Sequence, residues 1–515
     1  MRLFDKKKIG NKREITVFGI KFTYHKKVVG NAGKVRRPPL VGPDGAINAR
    51  ELFFRQRRFD LIFKYVYLKN HRRYGGETDF FLCLYCEHIR AFNHFYEDDV
   101  SYGVPKQSKE DFLTSFADTW NSLSQNGFDK ARSRIPVGEN YEVINGAHRL
   151  AACALLNQDV YVEQQAAGRC DDFLEFQKKG IDPDMADFAA LEYVKFNPDA
   201  YIVNLHSVTD PQHDGRVEEI LNRYGFIYYK KKVHMTFNGY INLKKLSYGL
   251  DNWKRESWIG GVEDDFSGAK EHARRSMGEH PLRVFVFVCP NLDDVVQAKK
   301  EIRDIYGIGN HSIHINDTSD EALELAQTYF NRNSLFVINT RPYDQPVTVL
   351  DGLIVELKKQ VRKDGIEMDA VCAAGSTPLS VLGLRESSDL DFLYCGDGKF
   401  EGGGSISNHD SQLGYYPYNK TEIIQNPEHH FYYRGLKFIT PAILLQMKKK
   451  RGEVPKDIRD CELIERFFAG SPVPIERKKR TGGFKVFRKI KNGGERTIVI
   501  LGLKIKYRKK SKRKR

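Results

Sequence analysis

The chain lacks the long apolar segments and the cysteine framework that are typical of membrane-spanning or secreted proteins. No apolar run approaches the ~20 residues that a transmembrane helix needs. The basic start, MRLFDKKKIGNKREI, has no apolar core of the kind found in a secretory signal, so we expect no such signal. Eight cysteines without a framework spacing favour reduced thiols and a cytoplasmic location.

The one close cysteine pair, Cys83 and Cys86, has no second pair to complete the roughly four ligands of a zinc site. We therefore expect two core cysteines on a helix. The 515 residues are 41% hydrophobic and 12% aromatic, enough for roughly three or four domains at ~100–200 residues each. The sequence patterns predict an α/β (α+β) multidomain chain with five parts, at residues 1–40, 41–175, 190–345, 348–472 and 473–515.

The positive charge is concentrated at the two ends. The chain carries a net +16, but residues 476–515 alone carry +16 and residues 1–40 carry +10, which leaves −10 for the residues between them. The segments REITVFGIKFTYHKK (13–27) and RTIVILGLKIKYRKK (496–510) are identical at seven of fifteen positions. Each predicts a short basic β-hairpin around a glycine, with lysines flanking an apolar stretch.

These ends resemble the LFGIKI tail motif of bacterial lipopolysaccharide and capsule biosynthesis enzymes. The resemblance implies a role in surface-polysaccharide biosynthesis, a sugar or lipid-linked glycan acceptor, and peripheral attachment at the inner membrane. Each Lys or Arg near an anionic leaflet contributes about 1 kcal/mol to such attachment. A solubilising tail and a nucleic-acid arm are the alternatives, and the acidic body argues against nucleic acid because the basic footprint lies only on the ends.

Aromatic-rich residues 41–125 predict helices, and the segment IPVGENYEVINGAHRLAACALLNQDVYVE (135–163) predicts a strand, a glycine turn, a helix and a strand. His148 and Arg149 fall at the start of this helix, where free N–H groups and the helix dipole favour an anion. The segment resembles the G-x-H-R box of the ParB/sulfiredoxin superfamily. The resemblance implies that Gly146, His148 and Arg149 hold a nucleotide phosphate; a helix cap with a surface His–Arg pair is the alternative.

Alternating patterns over 200–340 predict a β-α-β-β-α-β order and a ferredoxin-like sheet. Strands are expected at 200–206, 226–237 and 282–290, and helices at 215–225, 292–307 and 320–331. The segment HINDTSDEA (314–322) resembles the active-site box of nucleoside diphosphate kinases, which implies a reactive His314 and a phosphate-binding Arg303. Ile315 stands where that family has glycine, so we expect the fold more than the kinase chemistry. The alternative is a structural His314, with Asn316 or Asp317 capping the next helix.

The segment AAGSTPLSVLGLRESSDLDFLY (373–394) predicts a strand, a small-residue turn, a short helix and a second strand. Asp389 and Asp391 would share one face of that second strand, because alternate strand residues point the same way. Two bare carboxylates repel each other, and a bound Mg²⁺ (or Mn²⁺) relieves the repulsion. The turn at Gly375 and Ser376 would bring backbone N–H groups and a hydroxyl to phosphates.

This pattern resembles the Gly-Ser…Asp-x-Asp motif of the nucleotidyltransferase superfamily. The resemblance implies magnesium-dependent nucleotidyl or phosphoryl transfer from an NTP, with Asp389 and Asp391 as catalytic metal ligands. It further implies that Asp410 is the third carboxylate and that Arg385 and Lys437 bind the nucleotide. The alternatives are a metal-dependent glycosyltransferase, whose Asp-x-Asp needs no Gly-Ser turn, and a non-catalytic membrane-associated scaffold with degenerate nucleotide-binding folds.

Overall fold

The computed structural model describes residues 4–9, 12–17, 20–25, 41–42, 44–98, 105–165, 171–248, 257–344, 348–470, 487–492, 495–500 and 503–508. These residues form a mixed α/β structure with several small sheets, as the sequence predicts at this level. None of the described helices combines the length and the apolar composition that crossing a bilayer requires.

The N-terminal segment forms an antiparallel three-stranded sheet in the order β1-β2-β3. Its strands are β1 (Phe4–Ile9), β2 (Lys12–Val17) and β3 (Ile20–His25). The pair β2–β3 flanks the predicted glycine turn, which lies outside the described residues. The strand β1 precedes the repeated segment and was not predicted.

The next module is mainly helical and covers one small sheet, whose strand order is β4-β6-β5. Its strands are β4 (Ala46–Asn48), β5 (Ile135–Val137) and β6 (Asp159–Gln164). Its helices are α1 (Ala49–Phe54), α2 (Asp60–Tyr74), α3 (Phe80–Asn93), α4 (Lys109–Asn126), α5 (Ala147–Leu156), α6 (Phe173–Lys178) and α7 (Pro183–Phe196). Cys83 and Cys86 lie on α3 as predicted, but Cys83 is exposed rather than in the core.

The middle module contains a four-stranded antiparallel sheet in the order β10-β7-β9-β8. Its strands are β7 (Ala200–Leu205), β8 (Phe226–Val233), β9 (Leu282–Val288) and β10 (Ile313–Ile315). Its helices are α8 (Asp214–Tyr224), α9 (Phe237–Tyr248), α10 (Ser267–Ser276), α11 (Leu292–Tyr306), α12 (Ser319–Tyr329) and α13 (Arg332–Thr340). The predicted strand and helix order is present, with α9 and α10 inserted between β8 and β9.

The cap of α12 differs from the prediction. Thr318 is the capping residue, and its hydroxyl accepts a hydrogen bond from the amide of Glu321. Asn316 is instead buried, and its side-chain oxygen accepts from the amide of Ile202 on the neighbouring strand. The prediction that Asn316 or Asp317 caps this helix is therefore wrong, because a threonine one position later satisfies the free amide.

The last module is built on a five-stranded mixed sheet in the order β13-β12-β11-β15-β14. Its strands are β11 (Val371–Ala374), β12 (Leu390–Tyr394), β13 (Ile406–Asn408), β14 (His430–Tyr433) and β15 (Leu436–Ile439). Its helices are α14 (Thr348–Lys363), α15 (Thr377–Val381), α16 (Lys420–Gln425), α17 (Pro441–Arg451) and α18 (Lys456–Phe468). The strand β12 is antiparallel to β11 and parallel to β13.

The C-terminal segment repeats the architecture of the N-terminal one. Its strands are β16 (Phe487–Asn492), β17 (Glu495–Ile500) and β18 (Leu503–Arg508), paired antiparallel in that order. The shared residues occupy the same register, because Arg13 lies opposite Tyr24 and Arg496 lies opposite Tyr507. The sequence repeat is therefore a repeat of structure as well.

Apolar side chains form three cores in the described residues. One core joins the helical module to one face of the four-stranded sheet, a second covers the other face, and a third fills the last module. Polar contacts tie the helical and last modules together: the Thr78 hydroxyl donates to Glu422 at 2.5 Å, and Arg73 pairs with Glu367 at 3.2 Å.

Candidate functional site

The glycine turn after β11 is the centre of the candidate site. Gly375 has a left-handed backbone, with φ +56°. A Cβ atom built at this position would lie 2.1 Å from Oδ2 of Asp391. Glycine is therefore required for two reasons, its conformation and the close approach of a carboxylate from the next strand.

The strand β12 positions the paired acids. Asp391 lies opposite Ala374 in the antiparallel pair, next to the turn, while its neighbours Leu390 and Phe392 are fully buried. The Asp391 side chain keeps 24% of its surface exposed. Asp389 immediately precedes the strand and is exposed. Alternation along the strand places Asp391 on the face away from Leu390 and Phe392, and Asp389 stands one position before the strand begins.

Two side chains that the sequence pattern does not identify complete the turn. The Tyr416 hydroxyl accepts a hydrogen bond from the Gly375 amide at 3.3 Å and lies 2.9 Å from Nδ1 of His409. The phenol oxygen therefore joins the Gly375 amide to the His409 imidazole through two hydrogen bonds. Nε2 faces Asp391 Oδ2 at 3.9 Å.

The electrostatic surroundings keep His409 neutral. Burial lowers the pKa of His409 and outweighs the opposing effect of Asp391, and the charges of Arg451 and Lys448 lower it further. Tyr416 stays protonated, since burial raises the pKa of its phenol far above the ordinary value. The pair therefore links the turn by hydrogen bonds to a neutral imidazole that lies beside Asp391.

Tyr416 also lines an open cleft beside the site. The cleft has a volume of about 580 Å³ and lies between the loop that follows α2 and the segment that precedes α16. Its lining residues are Gly76, Glu77, Leu413, Tyr416, Tyr418, Asn419 and Lys420. The cleft is thus lined in part by the residue whose hydroxyl holds the Gly375 amide.

A buried ionic network supports the other side of the turn. The Lys448 ammonium is fully buried, pairs with Asp457 at 3.0 Å and Asp460 at 2.8 Å, and lies 3.4 Å from the Ser376 hydroxyl. Arg385, predicted to bind the nucleotide, pairs with Asp460 at 3.0 Å. Ser376 is therefore connected to α17 and α18 through buried charges.

Two other predicted residues have partners of their own. Asp410 pairs with Lys420 at 2.7 Å. Ser407, rather than Asp410, lies opposite Asp391 on β13, and its hydroxyl donates to Asp391 Oδ1 at 3.2 Å. Lys437 is buried and donates to the carbonyl oxygens of Asp369 and Ile424. Asp369 precedes β11, so Lys437 lies at the end of that strand opposite to Gly375.

In the helical module the predicted box forms a strand, a turn and a helix, with Gly146 left-handed at φ +85° before α5. His148 Nε2 lies 3.0 Å from the Tyr85 hydroxyl, and its ring packs on Phe116 at 4.5 Å. Burial holds the pKa of His148 well below its usual value, so the ring is neutral. The Arg149 guanidinium lies close over Gly146. His148 is thus engaged inside the module.

In the middle module His314 is buried on β10, and both ring nitrogens are engaged. Nδ1 lies 2.9 Å from the Tyr248 hydroxyl and Nε2 lies 2.8 Å from Glu321. Arg303 is on α11, and its Nε atom is buried without an acceptor among the described residues. Neither residue contributes to the Gly375–Asp391 constellation.

Within the described part of the chain, no group of three or more His, Cys, Asp or Glu side chains is arranged to hold a metal ion. Comparisons of the chain with protein-family models, with curated proteins and with solved structures found no match.

Proposed function

We propose that residues 348–470 form a magnesium-dependent nucleotidyl- or phosphoryl-transferase that acts on an NTP. The observation that carries this proposal is the approach of the Gly375 turn to Asp391, at a distance that only glycine permits. A phosphate-binding turn beside an acidic strand is what transfer from a nucleoside triphosphate requires, because the charges of the phosphates must be neutralised while the reacting groups are held in place.

The carboxylates of this site fit a Mg²⁺ ion that binds together with the NTP. Magnesium is usually held by one or two carboxylates, with phosphate oxygens and water as the remaining ligands. Asp389 and Asp391 would supply the carboxylates, and Ser407 would fix the orientation of Asp391. When bound, the metal would offset charge on the transferring group.

The chain's own side chains would keep this site in order. The His409 imidazole lies beside Asp391, and the Tyr416 hydroxyl ties the Gly375 amide to the same imidazole. Lys448 places a buried positive charge behind Ser376. The cleft beside Tyr416 offers room for an acceptor, for which we propose a sugar or a lipid-linked glycan.

The proposal extends to the other modules and the ends. We assign a ParB/sulfiredoxin-like module to 41–175, a ferredoxin-like module to 190–345, supported by the strand order β10-β7-β9-β8, and a nucleotidyltransferase-like module to 348–472. The basic ends would hold the protein at an anionic inner-membrane surface in bacterial polysaccharide biosynthesis.

The test measures turnover of NTPs with and without Mg²⁺ by the full chain. Pyrophosphate release identifies nucleotidyl transfer, and release of a nucleoside diphosphate identifies phosphoryl transfer. Asp389→Asn and Asp391→Asn should each lower the rate at least about a thousandfold, because several kcal/mol of charge stabilisation are lost. Asp364→Asn, the same change at an exposed position of the module, should leave the rate unchanged.

Wild-type turnover by both variants at the two paired acids would overturn the proposal. Turnover of nucleotide sugars alone would instead favour a glycosyltransferase. A wild-type protein that binds no nucleotide with Mg²⁺ would favour the scaffold.

A further inference from the structure

Four histidines, three buried and one half-buried, lie around one buried lysine in the middle module, and the proposed transferase site does not use them. We call this group the histidine cluster; its members are Lys244, His206, His272, His311 and His314. They come from five segments of the chain that meet where β7 ends and β10 begins. The inserted helices α9 and α10 contribute Lys244 and His272.

The hydrogen bonds within the histidine cluster fix its protonation pattern. His206 Nδ1 lies 3.0 Å from the carbonyl oxygen of His311. A carbonyl can only accept, so Nδ1 carries the proton and Nε2 is an acceptor. The Lys244 ammonium, 1% exposed, donates to that Nε2 at 3.0 Å.

Several polar atoms of the histidine cluster have unused hydrogen-bonding capacity. His272 is 5% exposed, and its Nε2 is buried without a partner among the described residues; the same holds for Nδ1 of His311. Their rings lie 4.4 Å apart. Lys244 has three donors and, in the part of the chain that the structure describes, a hydrogen bond only to His206. Buried polar atoms without partners are rare and indicate a bound water or ion.

The charges that face the histidine cluster favour an anion. Lys244 acts on all four rings, and Arg275 acts on His311. Lys299 also acts on His314, but it donates to the Ile315 carbonyl oxygen and pairs with Asp317. The acids that face the cluster are Glu321, already bonded to His314, and Glu271, which acts on His311. Lys244 and Arg275 would therefore oppose a metal cation and attract an oxyanion.

Protonation of the histidine cluster is incomplete at neutral pH. Burial lowers the pKa of Lys244 to about 7 and that of His272 to about 3. Burial also lowers the pKa of His206, His311 and His314, and Lys244 adds to the effect. An anion favours the protonated form of every one of these groups, so its binding would take up protons.

We propose that the histidine cluster binds a tetrahedral oxyanion, either inorganic phosphate or the terminal phosphate of a small metabolite. Lys244, His272 and His311 are its donors. His206 orients Lys244 through the fixed imidazole, and Glu321 and Tyr248 keep His314 in place. The site is separate from the Gly375–Asp391 site, and neither proposal depends on the other.

The test is calorimetric titration of the full chain with inorganic phosphate at pH 6, 7 and 8. Two buffers that differ in ionisation enthalpy are used at each pH, so that proton uptake is counted directly. Affinity should rise as the pH falls through 7, by at most about tenfold per pH unit for each proton taken up. Lys244→Met and His272→Gln should each weaken binding at least tenfold, and His234→Gln, at an exposed histidine of the same module, should not.

A second titration with ATP distinguishes the source of the phosphate. If ATP binds Lys244→Met more weakly than wild type, the histidine cluster accepts a terminal phosphate. If ATP binding is unchanged, the ligand of the histidine cluster is free inorganic phosphate. Phosphate affinity that is equal in wild type and in folded Lys244→Met and His272→Gln would overturn the proposal. So would Zn²⁺ binding that Lys244→Met strengthens, since that result would identify a cation site.

Discussion

Gly375 shows how much one residue of the candidate site depends on its surroundings. The sequence indicates a small-residue turn before the paired acids, and the structure adds a steric reason, since Asp391 occupies the space that any side chain would need. Its close neighbour in sequence, Gly365, has a similar left-handed backbone, φ +65°, but faces open space. Comparing the two glycines therefore separates the cost of the left-handed backbone from the cost of the contact with Asp391.

We expect Gly375→Ala to lower the free energy of unfolding by about 2–5 kcal/mol. The left-handed conformation costs an alanine about 1–2 kcal/mol, and the contact with Asp391 adds about 1–3 kcal/mol of overpacking. Denaturant unfolding of the full chain measures the change, and the proposed transferase activity should fall with it.

Gly365→Ala is the matched control and should cost only the conformational part, about 1–2 kcal/mol. An equal loss in both variants would contradict the steric account of the site.

Residue patterns predict only part of the candidate site. Strand alternation is a local property, so Asp389 and Asp391 could be identified from their spacing. Tyr416 and His409 meet the turn through tertiary contacts, and no periodic pattern indicates that a phenol will bond the Gly375 amide. The sequence predicts that Lys437 binds the nucleotide. In the structure its ammonium group is buried and donates to two carbonyl oxygens, at the end of β11 that is far from Gly375.

At the scale of elements, the helices with a clear apolar face were the predictable ones. The expected helix at 292–307 is present as Leu292–Tyr306, capped by Asn291. The helices α9 and α10 have no clean apolar face. In α9 the polar Asn242 and Lys244 are buried among apolar residues, and the buried residues of α10 are Ala269, His272, Ala273 and Ser276. Lys244 and His272 form part of the histidine cluster.

The pairing of α17 with α18 depends on buried charges, and its energetics can be measured. Asp457 is 1% exposed and is bound by Lys448 at 3.0 Å and by Arg451 at 2.7 Å. We expect Asp457→Asn to lower the free energy of unfolding by about 3–5 kcal/mol, because it leaves a buried ammonium short of compensation. Denaturant unfolding of Asp457→Asn, Lys448→Met and the double variant gives the coupling, and the double loss should be smaller than the sum.

An exposed ion pair on the same two helices provides the control. Lys449 and Glu465 lie 2.7 Å apart, with about half of each side chain in solvent. Glu465→Gln should change stability by less than about 1 kcal/mol. Strict additivity of the two buried changes would show that Lys448 and Asp457 do not act as a pair.

For the whole molecule, the informative feature is the separation of charge between ends and body. The two terminal sheets repeat one strand register, and the segments that contain them carry +10 and +16 against −10 for the rest. The register could not be read from the sequence repeat, because strand pairing depends on where each turn falls. A basic sheet at each end would allow the chain to bind one anionic surface at two points. Binding of one end would then raise the effective concentration of the other end at the surface.

We therefore expect the full chain to bind vesicles with anionic lipid and to be released by salt, since screening shortens the reach of each charge. Deleting residues 476–515 should move the protein to the unbound fraction in a vesicle sedimentation assay. Lys509→Gln with Lys510→Gln removes two tail charges and should weaken binding roughly thirtyfold, at about 1 kcal/mol for each. Lys178→Gln with Lys359→Gln removes two exposed charges of the body and should have little effect. Equally strong binding to neutral vesicles in high salt would contradict an electrostatic attachment, because neither lipid charge nor screening would then matter.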